Sequence, residues 1–365
     1  MGSAACYHLA RRGRRVVGIE RHQIPHEFGS SHGSSRVIRK AYFEDPRYVP
    51  LLHRAYELWQ EVERESGESL LTLCGGLNMG PESHECIVGV LESVTRHRLA
   101  HEVLSGRDIR RRFPSFRPAP GDIGVFEPDA GFLSPERCVL SHVRLAVRHG
   151  ARILSSCVPR SVERSAAGWS VRTDLGEFTA ERLILTLGAW LAHHEFDPRP
   201  RIPVRVERQV QLWFDPLDPA LFAVGRMPVF IHFCEAGCFY GVPAPPGGGV
   251  KVCRHHGGAT VTPDDVDRRV SEADESDVRG YLRRHLPGAD GPLLTGKVCL
   301  YTNTPDGNFA IGALADDSSV IVAGGFSGHG FKFASVVGEI VAELATTGRT
   351  GHDIGMFSPA RFQPA

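Results

Sequence analysis

The chain has 365 residues, enough for about two domains of ordinary size. Lys plus Arg and Asp plus Glu each number 42, and this zero net charge argues against a nucleic acid or an anionic membrane as a partner held by bulk charge. No apolar run approaches the ~20 residues of a membrane span, and no signal peptide is evident. The nine irregularly spaced cysteines favour reduced thiols in the cytoplasm. No metal site is expected, because the sequence has neither a CxxC pair nor an HExxH motif.

The first 20 residues predict an amphipathic helix, a glycine stop at Gly13 and a strand that ends in Glu20. This order is typical of the second half of a dinucleotide-binding βαβ unit. Gly2 fits the last glycine of G-x-G-x-x-G, and Glu20 fits the acid that binds ribose hydroxyls. The first strand and two glycines of the unit are missing, so we expect that Met1 is an internal point of a longer motif. A plain helix–strand pair is the alternative.

A glycine- and serine-rich stretch follows at residues 28–42 and carries His32, Arg36 and Arg39. The two arginines lie among apolar residues, and their planar guanidinium groups suit a carboxylate or a phosphate. A solvated basic loop is the alternative interpretation.

Apolar spacing and turn residues divide the middle of the chain into further elements. We predict helices at 46–66, 86–97, 106–113, 134–150 and, with Pro263 at its entry, 263–286, and strands at 75–79, 152–157, 182–187, 206–213, 229–233, 238–242, 250–252 and 297–304, with a hairpin near 170–178. The strand 182–187 leads into Gly188, Ala189 and Trp190, a small-residue turn where backbone can approach a cofactor.

Residues 320–345 read as a buried strand, a glycine-rich turn and a helix. Gly325, Gly328 and Gly330 permit positive φ angles and a close approach to a ligand, while the helix start favours negative charge. Lys332 closes the turn. A glycine-rich connection without a ligand is the alternative.

Four segments in this order resemble the flavin-dependent amine oxidases that include monomeric sarcosine oxidase, N-methyltryptophan oxidase and pipecolate oxidase. They are the loop 33–39, the segment from Gly249 through Lys251 to His255, the segment Val298-Cys299-Leu-Tyr301-Thr and the turn 325–333 with Phe326. The resemblance covers nearly the whole chain. It implies an α/β fold with a Rossmann-like FAD-binding domain, interleaved with a substrate domain built on an antiparallel sheet.

The resemblance also implies the chemistry: FAD oxidises the C–N bond of a secondary-amine amino acid to an imine, and O₂ is reduced to H₂O₂. Arg39 and Lys332 would clamp the substrate carboxylate, and Tyr240 and His255 would line the substrate side. Lys251 would stabilise the superoxide that develops as an electron reaches oxygen. Cys299 would hold the flavin covalently, and Tyr301, His32, Arg36 and Phe326 would lie beside the cofactor.

The expected domains are 1–75, 134–205 and 306–365 for FAD, and 76–133 and 206–305 for the substrate. We expect a monomer that acts on a small molecule. The alternatives are a primary-amine enzyme of the glycine or D-amino-acid oxidase type and a truncated product with impaired FAD binding.

Overall fold

The computed structural model describes residues 1–194 and 196–362. Its helices are α1 (Gly2–Arg11), α2 (Val49–Ser66), α3 (Glu85–Arg96), α4 (Gly106–Arg112), α5 (Pro135–Arg148), α6 (Pro219–Phe222), α7 (Glu272–His285) and α8 (Ala334–Thr347). Its strands are β1 (Val17–Ile19), β2 (Arg36–Ile38), β3 (Leu71–Leu73), β4 (Gly76–Pro81), β5 (Glu102–Ser105), β6 (Asp122–Glu127), β7 (Gly131–Leu133), β8 (Arg152–Leu154), β9 (Pro159–Ser165), β10 (Gly168–Thr173), β11 (Gly176–Ala180), β12 (Leu183–Leu185), β13 (Arg205–Phe214), β14 (Val229–Cys234), β15 (Gly237–Val242), β16 (Val250–His255), β17 (Leu293–Asn303), β18 (Ala310–Ala313) and β19 (Val320–Gly324).

An eight-stranded sheet has the order β17-β13-β16-β15-β14-β4-β6-β5. Adjacent strands of this sheet run antiparallel, except for the parallel pair β4–β14. The predicted mixed α/β fold is confirmed, and the large sheet differs from a purely antiparallel one at this single pair. The strands come from residues 76–127 and 205–303. The division of the chain into two interleaved domains stays a prediction.

The strand register places the predicted site residues on one face of this sheet. Gln209 lies opposite Cys299, and Trp213 lies opposite Lys251. Directly paired residues share a face, and so do residues two apart on a strand. The same face therefore carries Cys299, Lys251 and His255, together with Tyr240, which pairs with Cys253. Four separate strands thus supply one surface.

The remaining sheets are smaller. β1 pairs with β8 in parallel, and β12 pairs in parallel with β19, which also pairs with β18. Helices α1, α2, α5 and α8 pack together in one apolar core. Gly338 lets α8 approach α1 closely, because a Cβ there would lie 2.6 Å from the Cβ of Ala4 in α1.

The predicted start of one helix was wrong. Helix α7 begins at Glu272 rather than near Pro263, because Ser271 and Asp274 form a capping box. The Ser271 hydroxyl accepts from the Asp274 amide at 3.2 Å, and the Asp274 carboxylate accepts from the Ser271 amide at 2.8 Å. Within the described ranges, no helix combines the length and the apolar character that crossing a membrane requires.

Candidate active site

Two adjoining cavities lie where the small parallel sheets meet the large sheet. The larger has a volume of about 2030 Å³ and is lined by both β1 and β12 and by the turn after β19. The smaller has a volume of about 80 Å³ and lies against the face of the large sheet described above. We call them the large cavity and the small pocket.

The large cavity brings together nearly all the residues predicted to contact the cofactor. Its lining includes Gly2, Glu20, Arg36, Gly188, Ala189, Trp190, Cys299, Tyr301, Gly325, Phe326, Gly328 and Gly330. The exception is His32, which is fully buried and lines neither cavity. Burial, followed by the charges of Arg36 and Lys251, lowers the pKa of His32 to about 3, so this ring is neutral.

The residues of the large cavity fit FAD. Helix α1 begins at the cavity without a side-chain cap, so its first amides are available to a pyrophosphate. Glu20 follows β1, where a ribose would lie. Gly188 has φ +55°, and a Cβ there would meet nothing within 4 Å. Gly328 has φ +80°, and a Cβ there would lie 2.5 Å from the ring of Tyr301.

The small pocket gathers four of the five predicted catalytic residues. Arg39, Lys332, Tyr240 and His255 all line it. Five residues line both cavities: Arg36, Cys299, Tyr301, Gly328 and Phe331. A planar ring bound at this junction would therefore face a ligand in the small pocket.

Arg39 is buried and is held from several sides. Its guanidinium lies over the rings of Tyr42 and Phe43, with 4.4 Å to each centroid. It donates to the Ala41 carbonyl at 2.6 Å and to both oxygens of Glu44 at 2.9 and 3.1 Å. Burial acts to raise the pKa of Glu44, but Arg39, His329 and Lys332 together outweigh burial and hold the pKa below its usual value. Glu44 is therefore charged beside the arginine.

Lys332 is the second cation of the pocket. Its Nζ donates to the His329 carbonyl at 2.7 Å. Burial, and then the nearby charge of Arg39, lower its pKa to about 7. The charge of this clamp therefore changes near neutral pH.

The aromatic wall of the pocket is uncharged. His255 Nδ1 and the Tyr301 hydroxyl lie 3.0 Å apart. Burial holds the pKa of His255 well below its usual value, and burial likewise raises the pKa of Tyr240 well above 10. These rings therefore provide shape and hydrogen bonds without adding charge near a substrate amine.

Lys251 lies apart from the other predicted catalytic residues and lines neither cavity. Its Nζ donates to the carbonyls of Gly33 and Ser35, both at 3.1 Å, and to Gln211 Oε1 at 2.5 Å. Burial, and then Arg36, lower its pKa to about 7. Such a separated cation suits a step other than substrate binding.

Sequence reasoning missed several residues of the small pocket: Phe43, Glu44, Gln209, Gln211 and His329. Glu44 had a weak signal, since it is an acid five residues after Arg39. The two glutamines had a stronger signal, because Gln209 and Gln211 alternate with apolar residues along their strand.

The comparisons with known proteins agree with this architecture. The family model described as "DAO: FAD dependent oxidoreductase" matches residues 1–344. The chain is 42% identical over 372 residues to the monomeric sarcosine oxidase of Streptomyces avermitilis, covering 100% of this chain and 96% of the relative. It is 35% identical over 367 residues to the N-methyl-L-tryptophan oxidase of Yersinia pestis, covering 100% and 97%.

Among solved structures, the open form of NikD, an unusual amino acid oxidase essential for nikkomycin biosynthesis, superposes with a TM-score of 0.86 at 24% identity. The match covers 98% of this chain and 94% of that one, and supports the fold. The family model and the two relatives span almost the entire chain. The chain therefore belongs to the DAO family of FAD-dependent oxidoreductases.

Proposed function

We propose that this chain oxidises the C–N bond of a small secondary-amine amino acid to an imine and that O₂ accepts the electrons, giving H₂O₂. The single observation that carries the proposal is the small pocket, in which two buried cations, Arg39 and Lys332, adjoin the junction with the large cavity. The names of the two relatives, a sarcosine oxidase and an N-methyl-L-tryptophan oxidase, support the substrate class.

The carboxylate of the substrate would bind between Arg39 and Lys332. Charge-assisted hydrogen bonds to a buried guanidinium are among the stronger polar contacts. Glu44 and two aromatic rings already hold Arg39 in place, and the substrate carboxylate would compete with Glu44 for this guanidinium. The clamp would thus fix one end of the substrate.

The amine end would lie among Tyr240, His255 and Tyr301. His255 is neutral, so it does not repel an amine that arrives protonated. The C–H bond next to nitrogen breaks and a C=N bond forms, which releases two electrons and two protons. FAD held in the large cavity would supply the two-electron oxidation, with O₂ as the final acceptor of the electrons. The residues of the chain bind and orient the reactants.

The volume of the small pocket, about 80 Å³, favours a substrate with a small side chain. Phe43 and Ile231 contribute apolar walls, and Phe43 also packs edge-on against Phe233 at 5.0 Å. We infer that sarcosine and similar N-methyl amino acids fit better than N-methyl-L-tryptophan.

Several finer features belong to the same proposal. Cys299 would bind the flavin covalently, since it lines both cavities with its Sγ 3.6 Å from Arg36 Nη2. Lys251 would act on oxygen. The cysteine pattern supports a cytoplasmic location, and the name of the first relative, a monomeric enzyme, supports a monomer.

The test is a substrate panel on the purified flavoprotein. Sarcosine, N-methyl-L-tryptophan, pipecolate, glycine and D-alanine would each be supplied, with H₂O₂ formation and anaerobic flavin bleaching measured separately. We expect both signals with the small secondary amines. Faster oxidation of glycine or D-alanine would favour the primary-amine alternative, and bleaching without peroxide would exclude oxygen as the acceptor.

A further inference from the structure

Gln211 on β13 lies between two cations, the buried Lys251 and the half-buried Arg36. Its Oε1 accepts from Lys251 Nζ at 2.5 Å and from Arg36 Nη1 at 3.2 Å. Ammonium and guanidinium groups can only donate, so the amide oxygen must be the atom that faces both of them. The amide orientation is thereby determined by chemistry, and its NH₂ group points away from the two cations.

Gln211 supplies the one side-chain acceptor of Lys251 Nζ in the described part of the chain. The other two acceptors are the backbone carbonyls of Gly33 and Ser35. An ammonium has three N–H donors, so the three acceptors satisfy it completely. Gly33 has φ +93°, and a Cβ there would overlap the Gln211 amide. Glycine at this position therefore lets the loop pack directly on Gln211.

The second donor to Gln211 links this arrangement to the junction of the cavities. Arg36 also donates to the carbonyls of Ser30 and Ser35, at 2.7 and 2.8 Å, and its Nη2 lies 3.6 Å from Cys299 Sγ. Among the described residues, no carboxylate forms an ion pair with Lys251 or Arg36. A single neutral oxygen thus bridges two positive charges.

We propose that Gln211 is a positioning residue for the oxygen half of the reaction, which holds Lys251 Nζ against the Gly33–Ser35 loop and keeps the positive charge on it. This inference rests on the proposed role of Lys251.

Electrostatics define what the amide must oppose. Burial, followed by the charge of Arg36, favours the neutral form of Lys251 and lowers its pKa to about 7. The other titratable groups that face it are His32, Glu136, Cys253 and Cys299. An acceptor on Nζ stabilises the charged form. Without the amide oxygen, the ammonium would lose its proton at a lower pH.

The direct test measures the titration of Lys251 by NMR. The chain contains only four lysines, Lys40, Lys251, Lys297 and Lys332, so lysine-selective isotope labelling gives a simple spectrum, assigned with Lys→Arg variants. In Gln211→Leu the pKa of Lys251 should fall by about one unit, because one charge-assisted hydrogen bond is lost. In Gln211→Glu it should rise. Lys332 is the internal control and should not move.

The functional readout is the rate at which O₂ reoxidises the substrate-reduced enzyme. In the native protein this rate should fall as pH rises through about 7, where the Lys251 ammonium is lost. Gln211→Leu should move that fall to lower pH and Gln211→Glu to higher pH.

Gln209 is the matched control for the reoxidation profile. It lies two residues earlier on the same face of β13, but its amide donates to Glu207 and does not contact Lys251. Gln209 also lines the small pocket, so Gln209→Leu controls for a changed pocket lining. The pH at which reoxidation falls should keep its native value in this variant. An equal shift in both glutamine variants, or an unshifted Lys251 titration in Gln211→Leu, would overturn the proposal.

Lys251→Met tests the role of Lys251 toward oxygen separately from the role of Gln211. Unchanged reoxidation in Lys251→Met would defeat the oxygen role itself. Slow reoxidation in Lys251→Met, together with native profiles in both Gln211 variants, would defeat only the role of Gln211.

Discussion

Arg39 and Glu44 form an ion pair inside the small pocket, in which the single nitrogen Nη2 lies 2.9 and 3.1 Å from the two carboxylate oxygens. The pair is nearly inaccessible to solvent, since the side chains are 4% and 17% exposed. Glu44 thus already supplies a carboxylate to the cation proposed to bind the substrate carboxylate. Substrate and Glu44 would compete for the same guanidinium.

Removal of that competitor should strengthen carboxylate binding. In Glu44→Gln, an unreactive carboxylate such as propanoate should bind about tenfold more tightly, because one charge-assisted contact no longer has to be replaced. The dissociation constant can be read from the flavin absorbance. Weaker binding would instead show that Glu44 is needed to position Arg39.

Removal of the cation should have the opposite effect. In Arg39→Ala the KM for sarcosine should rise about 10- to 100-fold, since charge-assisted hydrogen bonds contribute ~1.5–3 kcal/mol. A small secondary amine without a carboxylate, such as dimethylamine, serves as the control and should show little change. Equal losses for both substrates would refute the clamp.

Carboxylate binding should depend on pH through Lys332. Its pKa is lowered to about 7 by burial and then by Arg39, so the ammonium is present below this pH and lost above it. Propanoate affinity should therefore decline in one step as pH rises through neutrality. The bound carboxylate stabilises the ammonium and so moves this step to higher pH. Propanoate has no amine to complicate the titration. Lys332→Met should abolish the step, and a step that persists there must come from another group.

Covalent attachment of the flavin should depend on Cys299. The protein would be precipitated with acid, and flavin would be measured in the washed pellet. The native pellet should stay yellow, and the Cys299→Ser pellet should lose its colour. Cys253→Ser, which changes another buried thiol on the neighbouring part of the sheet, should keep the colour. Flavin retained by Cys299→Ser would rule out this cysteine.

Substrate size should be governed by Phe43. Phe43→Ala should enlarge the pocket. The kcat/KM for N-methyl-L-tryptophan divided by that for sarcosine should then rise by about tenfold or more, since each methylene that a pocket accommodates contributes ~1–3 kcal/mol. Phe233→Ala is the control, because Phe233 packs behind Phe43 and is absent from the pocket lining. It should lose ~3–5 kcal/mol of stability and keep the native ratio.

The sequence by itself determined the local elements and the family segments. The apolar spacing of α2, the strand–turn–helix at 320–345 and the order of the four family segments all depend on residues close together in the chain. The local pattern gave the wrong start for helix α7, because the capping box at Ser271 begins the helix and Pro263 does not. The roles assigned to Lys251, Cys299 and the other site residues stay predictions.

Only the tertiary structure decided which of these residues meet. Strand register, which depends on pairing between distant segments, places Gln209 opposite Cys299 and Trp213 opposite Lys251. Loop packing brings Gly33 onto Gln211 and brings Glu44 into the pocket with Lys332. It also buries His32 outside both cavities. Periodicity shows which face of an element is apolar, whereas the partner of a polar side chain is set by contacts between elements far apart in sequence.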